Sequence, residues 1–180
     1  MKKKLHNFTL VLSGVNQKTK GLEDILFQAG CDDALINFRN GAVYLEFDRE
    51  STSFEKAVFS AIKQVEKTSL KIKVVNVAPD DYVTESDVAK RLHIKRQAVS
   101  LWFNGKRHSK TDFPSPVMKL TEKSPLWRWS DIVKWLYQQK KITEAEILDR
   151  AHFIESLNVA LLERDTIIHR YKQKIVKNLS

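Results

Sequence analysis

From Val88 to Thr111 the chain carries seven basic side chains (Lys90, Arg91, Lys95, Arg96, Lys106, Arg107 and Lys110) and no acidic one. Within this run Lys95, Arg96, Gln97 and Ser100 are of the types that read base edges. A guanidinium pairs through two hydrogen bonds with guanine, and a glutamine carboxamide does the same with adenine. Lys106, Arg107, His108 and Lys110 follow on the Gly105–Lys110 stretch, and Lys123 lies a little beyond. Cations of that kind suit phosphate, which supplies affinity and register but no sequence choice. His108 offers either a pH-dependent phosphate contact or a neutral surface imidazole. A charge run alone is more often a solvated face than a binding site, so the elements that carry it must decide.

Little other chemistry competes. The chain has no paired carboxylates in a pocket context, no nucleophile elbow, no zinc-ligand spacing and no Gly-rich phosphate loop, and its five histidines are scattered at 6, 93, 108, 152 and 169. An enzyme is not expected, and no catalytic, metal-binding or cofactor-binding residue is assigned. Cys31 with Asp32-Asp33 reads as a loop with a half-buried thiol, and a single cysteine makes no internal disulfide. A hydrophobic fraction of 42 % excludes a disordered basic tail, and 180 residues allow one domain or two small ones. No apolar run approaches the roughly 18 residues of a membrane span. The basic start Met1-Lys2-Lys3-Lys4 leads into Leu5-His6-Asn7 rather than an apolar stretch, so a cytoplasmic, nucleoid-associated location is expected. The net charge of +9 is uneven: residues 1–80 carry +2, residues 81–141 carry +7, and residues 142–180 are neutral.

The elements around the basic run give it context. Thr84 can cap a helix with Glu85 and Asp87 in its first turn, and Val88, Ala89 and Leu92 form its apolar face. His93-Ile94-Lys95 makes a turn, and a second helix runs to about Phe103 with Ala98, Val99 and Trp102 inward, ending at Asn104-Gly105. This stretch looks like the helix-turn-helix of bacterial DNA-binding proteins, with His93 where the pattern usually has glycine, a position that needs a left-handed backbone. Phe113-Pro-Ser-Pro-Val117, Leu120 and Trp127-Arg-Trp-Ser-Asp-Ile-Val-Lys-Trp-Leu136 then resemble the winged segment of AlpA/excisionase-type and MerR-like proteins, over about residues 84–136. Val117–Leu120 and Leu126–Trp129 are expected to pair across 121–125 as a two-stranded wing. Ser130 is expected to cap a short helix, with Ile132, Val133, Trp135 and Leu136 in its core. The resemblance implies that the second helix enters the major groove with its N-terminal end leading, while the basic loop and wing lie on phosphate.

The first third reads as a ferredoxin-like βαββαβ sandwich in an α+β chain. Phe8, Leu10 and Leu12 share a strand face. Leu22, Ile25, Leu26 and Ala29 share a helix face that Gly30 terminates. Strands at 34–38 and 42–47 flank Asn40-Gly41, a hairpin signal. Thr52 with Glu55 suggests a capping box for the stripe Phe54, Ala57, Val58, Ala61, Ile62 and Val65, and Leu70 to Val77 supply a last strand. In the last third, Ile147, Ile154, Leu161, Ile168 and Ile175 recur every seven residues, with Arg150, Leu157, Arg164 and Tyr171 at the other seam position. One helix of about 33 residues, roughly 50 Å long, would pair two chains as a coiled coil; two shorter helices folded onto the first domain are the alternative. The expected domains are residues 1–80 for dimerisation, sensing or docking, 81–141 for DNA, and 142–180 for dimerisation. The expected function is a dimeric, sequence-specific regulator of transcription that binds double-stranded DNA without a cofactor or membrane. An excisionase-like architectural factor, or an antitoxin or phage-type repressor whose first domain docks a protein or small molecule, is the alternative.

Overall fold

The strand β1 (Lys4–Ser13) alternates as its sequence dictates: His6, Phe8, Leu10 and Leu12 are buried, and their neighbours face outward. In this computed structural model, which describes residues 2–106 and 111–179, β1 lies inside a four-stranded antiparallel sheet. The sheet also contains β2 (Ala34–Arg39), β3 (Ala42–Ser51) and β4 (Lys73–Ala78), in the order β2-β3-β1-β4. Two helices, α1 (Leu22–Gln28) and α2 (Phe54–Glu66), complete the order β1-α1-β2-β3-α2-β4. Asn40 and Gly41 both have positive φ, at 50° and 81°, and join β2 to β3 by the shortest hairpin turn. All six residues of the expected α2 stripe are buried. The cap is one residue later than expected: the Ser53 hydroxyl accepts the Lys56 N–H at 3.3 Å. In β4 the register against β1 slips between Val11 and Leu12. That bulge turns Val75 outward and lets Val74 and Val77, three residues apart, both face the core. Cys31 is buried rather than half-buried, and burial pushes its thiol up to about 11.

The C-terminal segment departs from a continuous zipper. It forms α6 (Ala145–Glu163) and α7 (Thr166–Leu179), broken at Arg164-Asp165. The Asp165 carboxylate accepts the N–H groups of Ile167 and Ile168 at 2.8 and 3.2 Å, which starts a new helix where the heptad pattern reads straight through. Ile154, Leu157 and Leu161 are buried within this chain, whereas Ile168, Tyr171 and Ile175 are exposed and none of the described residues of α7 is buried. No helix among the described residues is long and apolar enough to cross a membrane.

The chain divides into two compact units, residues 1–79 with 156–180, and residues 80–155. In the first unit the later part of α6 belongs with the sheet. Asn158 accepts the Val77 N–H at 2.8 Å and donates to the Val77 C=O at 3.0 Å. Arg164 grips both oxygens of Glu66 at 3.0 and 2.6 Å. Burial would raise the Glu66 carboxyl, but these hydrogen bonds and the Val74 N–H hold it below its ordinary value. Asn158→Leu should destabilise this unit by about 2 kcal/mol, because it strands a buried N–H and C=O together. Urea denaturation checks this, and a loss below about 0.5 kcal/mol would show that water replaces the carboxamide.

The second unit holds α3 (Glu85–Arg91), α4 (Arg96–Phe103) and α5 (Trp129–Gln138), with a small sheet of β5 (Tyr82–Val83) and β6 (Trp127–Arg128). Its core is Val83, Val88, Ala89, Val99, Trp102, Trp127, Ile132, Trp135 and Leu136, with Leu92, Ile94 and Phe113 packed against it. Cut at the folded boundary, residues 80–155 carry 14 basic and 11 acidic side chains. The +7 of residues 81–141 is therefore diluted by Asp80, Glu144 and the carboxylates of α6, and the basic signal is the local run rather than the whole unit.

Candidate nucleic-acid interface

Two short helices and the turn between them place the first set of expected residues. The Thr84 hydroxyl accepts the Asp87 N–H at 3.2 Å, and the Asp87 carboxylate accepts the Thr84 N–H at 3.0 Å and its hydroxyl at 2.6 Å, so a reciprocal box starts α3. Led by the Thr84 hydroxyl, these bonds hold the Asp87 carboxyl below its ordinary value. His93 has φ 53°, the left-handed turn its position demanded, and the Ile94 N–H closes back onto the Ala89 C=O at 2.9 Å. The next helix begins at once, with Lys95 as its N-cap.

On α4, Val99 and Trp102 are buried, which aims Arg96, Gln97 and Ser100 away from the core. Lys95, Arg96 and Gln97 are exposed; Ser100 is half-buried, and its hydroxyl accepts from Asn104 Nδ2 at 3.1 Å. Arg96 Nε lies 3.3 Å from Glu85 Oε2, with the arginine side chain 63 % exposed. Arg96 and Lys123 line one small cleft of about 150 Å³ with Thr84, Glu85, Phe103 and Trp127. The structure thus brings Lys123, 27 positions away in sequence, beside the start of α4.

The basic connection is anchored at both ends. Gly105 has φ 64°, and the Lys106 N–H donates to the Leu101 C=O at 3.0 Å, closing α4. At the far end Trp135 Nε1 donates to the Thr111 C=O at 3.1 Å, and Trp127 Nε1 donates to the Pro114 C=O at 2.9 Å. The side chain of Lys106 is exposed. Arg107, His108 and Lys110 lie outside the described residues.

Two expectations are corrected. The two-stranded pairing of Val117–Leu120 with Leu126–Trp129 reduces to one bridge, Met118 to Leu126. Trp127–Arg128 pairs instead with Tyr82–Val83, a two-residue strand ahead of α3. That pairing lets the Trp129 N–H reach the Asp81 C=O at 2.8 Å and starts α5 at Trp129, with Arg128 as N-cap. Ser130 is therefore inside the helix rather than capping it; it is buried and donates to Glu155 Oε2 at 2.6 Å. Arg91, counted in the basic run, turns inward: its guanidinium sits 4.8 Å over the Trp129 ring and donates to the Asp80 C=O at 2.7 Å. Sequence reasoning missed Glu85 as the partner of Arg96. Eleven residues separate them, and only the packing of two helix starts brings them together.

The exposed groups around the start of α4 are donors and cations, with the half-buried carboxylate of Glu85 at the base of Arg96. Such a set can pair with base edges and phosphate oxygens. No family model matches the chain, and no curated protein and no solved structure matches it either.

Proposed function

We propose that this chain is a sequence-specific, double-stranded-DNA-binding regulator of transcription that acts as a dimer in the bacterial or phage-infected cytoplasm. On this reading residues 80–155 are a winged helix-turn-helix with a shortened wing, and the sheet unit is a ferredoxin-like sandwich that supports pairing or docking. One observation carries it: Lys95, Arg96 and Gln97 stand exposed at the leading end of a helix whose opposite face is locked by Val99 and Trp102, with Lys123 beside them. A helix presented that way fits a major groove, with its N-terminal residues toward base edges. Selection of genomic fragments by the full chain, followed by competition against bulk DNA, tests it. Enrichment of one motif is expected, and uniform recovery of all fragments would overturn it.

The connecting loop has a separable role. Lys106→Ala with Arg107→Ala should weaken binding to every sequence alike and reduce the salt slope by about 2, roughly one for each phosphate that is no longer neutralised. Titrations at several salt concentrations measure this, and an unchanged slope would remove the loop from the interface.

A further inference from the structure

The two edges of the sheet are finished differently. At β4, Glu66 accepts the Val74 N–H at 3.0 Å, and Asn158 holds both main-chain groups of Val77. An edge so occupied cannot template another strand. At β2 the outward groups can be identified. Arg39 and Ala42 flank the two-residue turn, and the Asp48 N–H donates to the Asp33 C=O at 3.1 Å, so the odd-numbered residues direct their main-chain groups at β3. Those of Ala34, Ile36 and Phe38 point off the sheet. The Ala34 N–H turns back to the Cys31 C=O at 3.2 Å, which, among the described residues, leaves its C=O and both groups of Ile36 and Phe38 open. Apolar side chains crowd this edge: Leu35 is 63 % exposed, Phe38 41 %, and Phe27 of α1 66 %.

We infer that this edge is the dimer interface, occupied by β2 of a second copy running antiparallel about a two-fold axis at Ile36. The strand is complementary to itself in that direction alone: the exposed Asp32 precedes it and the exposed Arg39 ends it. With the axis at Ile36, Ile36 opposes its equivalent, Ala34 opposes Phe38 of the partner subunit, and the exposed Asp32 of one strand lies diagonal to Arg39 of the partner subunit, Asp33 being held by Arg49 within its own chain. Each opposed pair then shares one face of a continuous eight-stranded sheet, and the open main-chain groups satisfy one another. The other unpartnered stripe, Ile168, Tyr171 and Ile175 of α7, suits a second copy poorly. That helix carries Arg170, Lys172, Lys174 and Lys177 and no carboxylate, so self-pairing would set like charges together.

The inference rests on the dimeric part of the proposed function and is independent of DNA binding. Sedimentation equilibrium of the full chain tests it with Ile36→Pro, which deletes one outward N–H without touching the β3 ladder, and with Leu35→Lys, which charges the edge. Both should raise the dimer dissociation constant about a hundredfold, with circular dichroism unchanged. Val75→Lys on β4 and deletion of residues 166–180 should leave the dimer intact. A dimer that survives Leu35→Lys, or one lost on deleting residues 166–180, overturns the β2 assignment alone. A wild-type monomer at tens of micromolar overturns the dimeric reading with it, while the DNA competition result stands separately.

Discussion

Arg96→Ala combined with Gln97→Ala is expected to abolish sequence preference and leave weak, salt-sensitive duplex binding. Each bidentate contact to a base discriminates by about 1–3 kcal/mol, so losing two lowers the ratio of specific to bulk affinity roughly a hundredfold or more. The substitution is clean because both side chains are exposed and neither belongs to the core of the unit. Among the described residues Arg96 is tied only to Glu85, at 3.3 Å and with its own side chain 63 % exposed. Glu85 is 17 % exposed, so this half-covered pair is worth about 1 kcal/mol; stability should move little, and Arg96 can leave Glu85 for a base at modest cost. Competition binding of wild type and variant, with the selected motif against bulk DNA, gives the ratio. Preference retained in the double variant would mean that α4 does not read bases.

The second large effect lies in the sheet unit. Arg49→Met should destabilise it by about 3 kcal/mol in urea denaturation. Arg49 is a charge planted on the buried face of β3, its side chain only 8 % exposed. Its Nε and Nη2 donate to the two oxygens of Asp33 at 2.7 Å each. Nη1 donates to Ser60 at 3.0 Å and Gln64 at 2.5 Å, and Nη2 also reaches the Gly30 C=O at 3.1 Å. The side chain therefore joins the end of α1, the start of β2 and the middle of α2. Methionine keeps much of the volume but leaves Asp33, Gln64 and the Gly30 C=O unpaired, and breaking one side of such a pair costs about 3–5 kcal/mol. Asp33 is 29 % exposed, so water recovers part of the loss and the lower figure applies. Arg49→Lys should restore little, since an ammonium cannot serve partners arranged around a planar fork. A cost below about 1 kcal/mol for Arg49→Met would show that the network is solvated in practice.

Several elements were legible because one residue carries its own reason. Asn40-Gly41 could only be a tight hairpin, Thr84 capped its helix as its type suggests, and His93 took the left-handed turn between α3 and α4. Other features were hidden for equally local reasons. The strand Tyr82–Val83 is two residues long and has no periodicity to read, and its partner lies about 45 positions away. Ser130 is a good cap by type, but the β5–β6 pairing starts the helix one residue before it. The heptad in the last third runs without interruption, yet Asp165 offers the backbone a better local bond and splits the helix.

The candidate surface shows the same division. The sequence alone determined which side chains could read bases or hold phosphate, and which face of each helix is apolar, because type and spacing dictate hydrogen-bonding capacity and amphipathicity. It could not tell that Arg91 folds under Trp129, that Glu85 meets Arg96, or that Lys123 shares their cleft. Nor could it tell that α6 buries its apolar seam inside the chain while β2 is left as an open edge. Those outcomes depend on contacts between segments distant in sequence. Tertiary packing decides which of several equally polar or apolar groups is consumed internally and which remains free to bind.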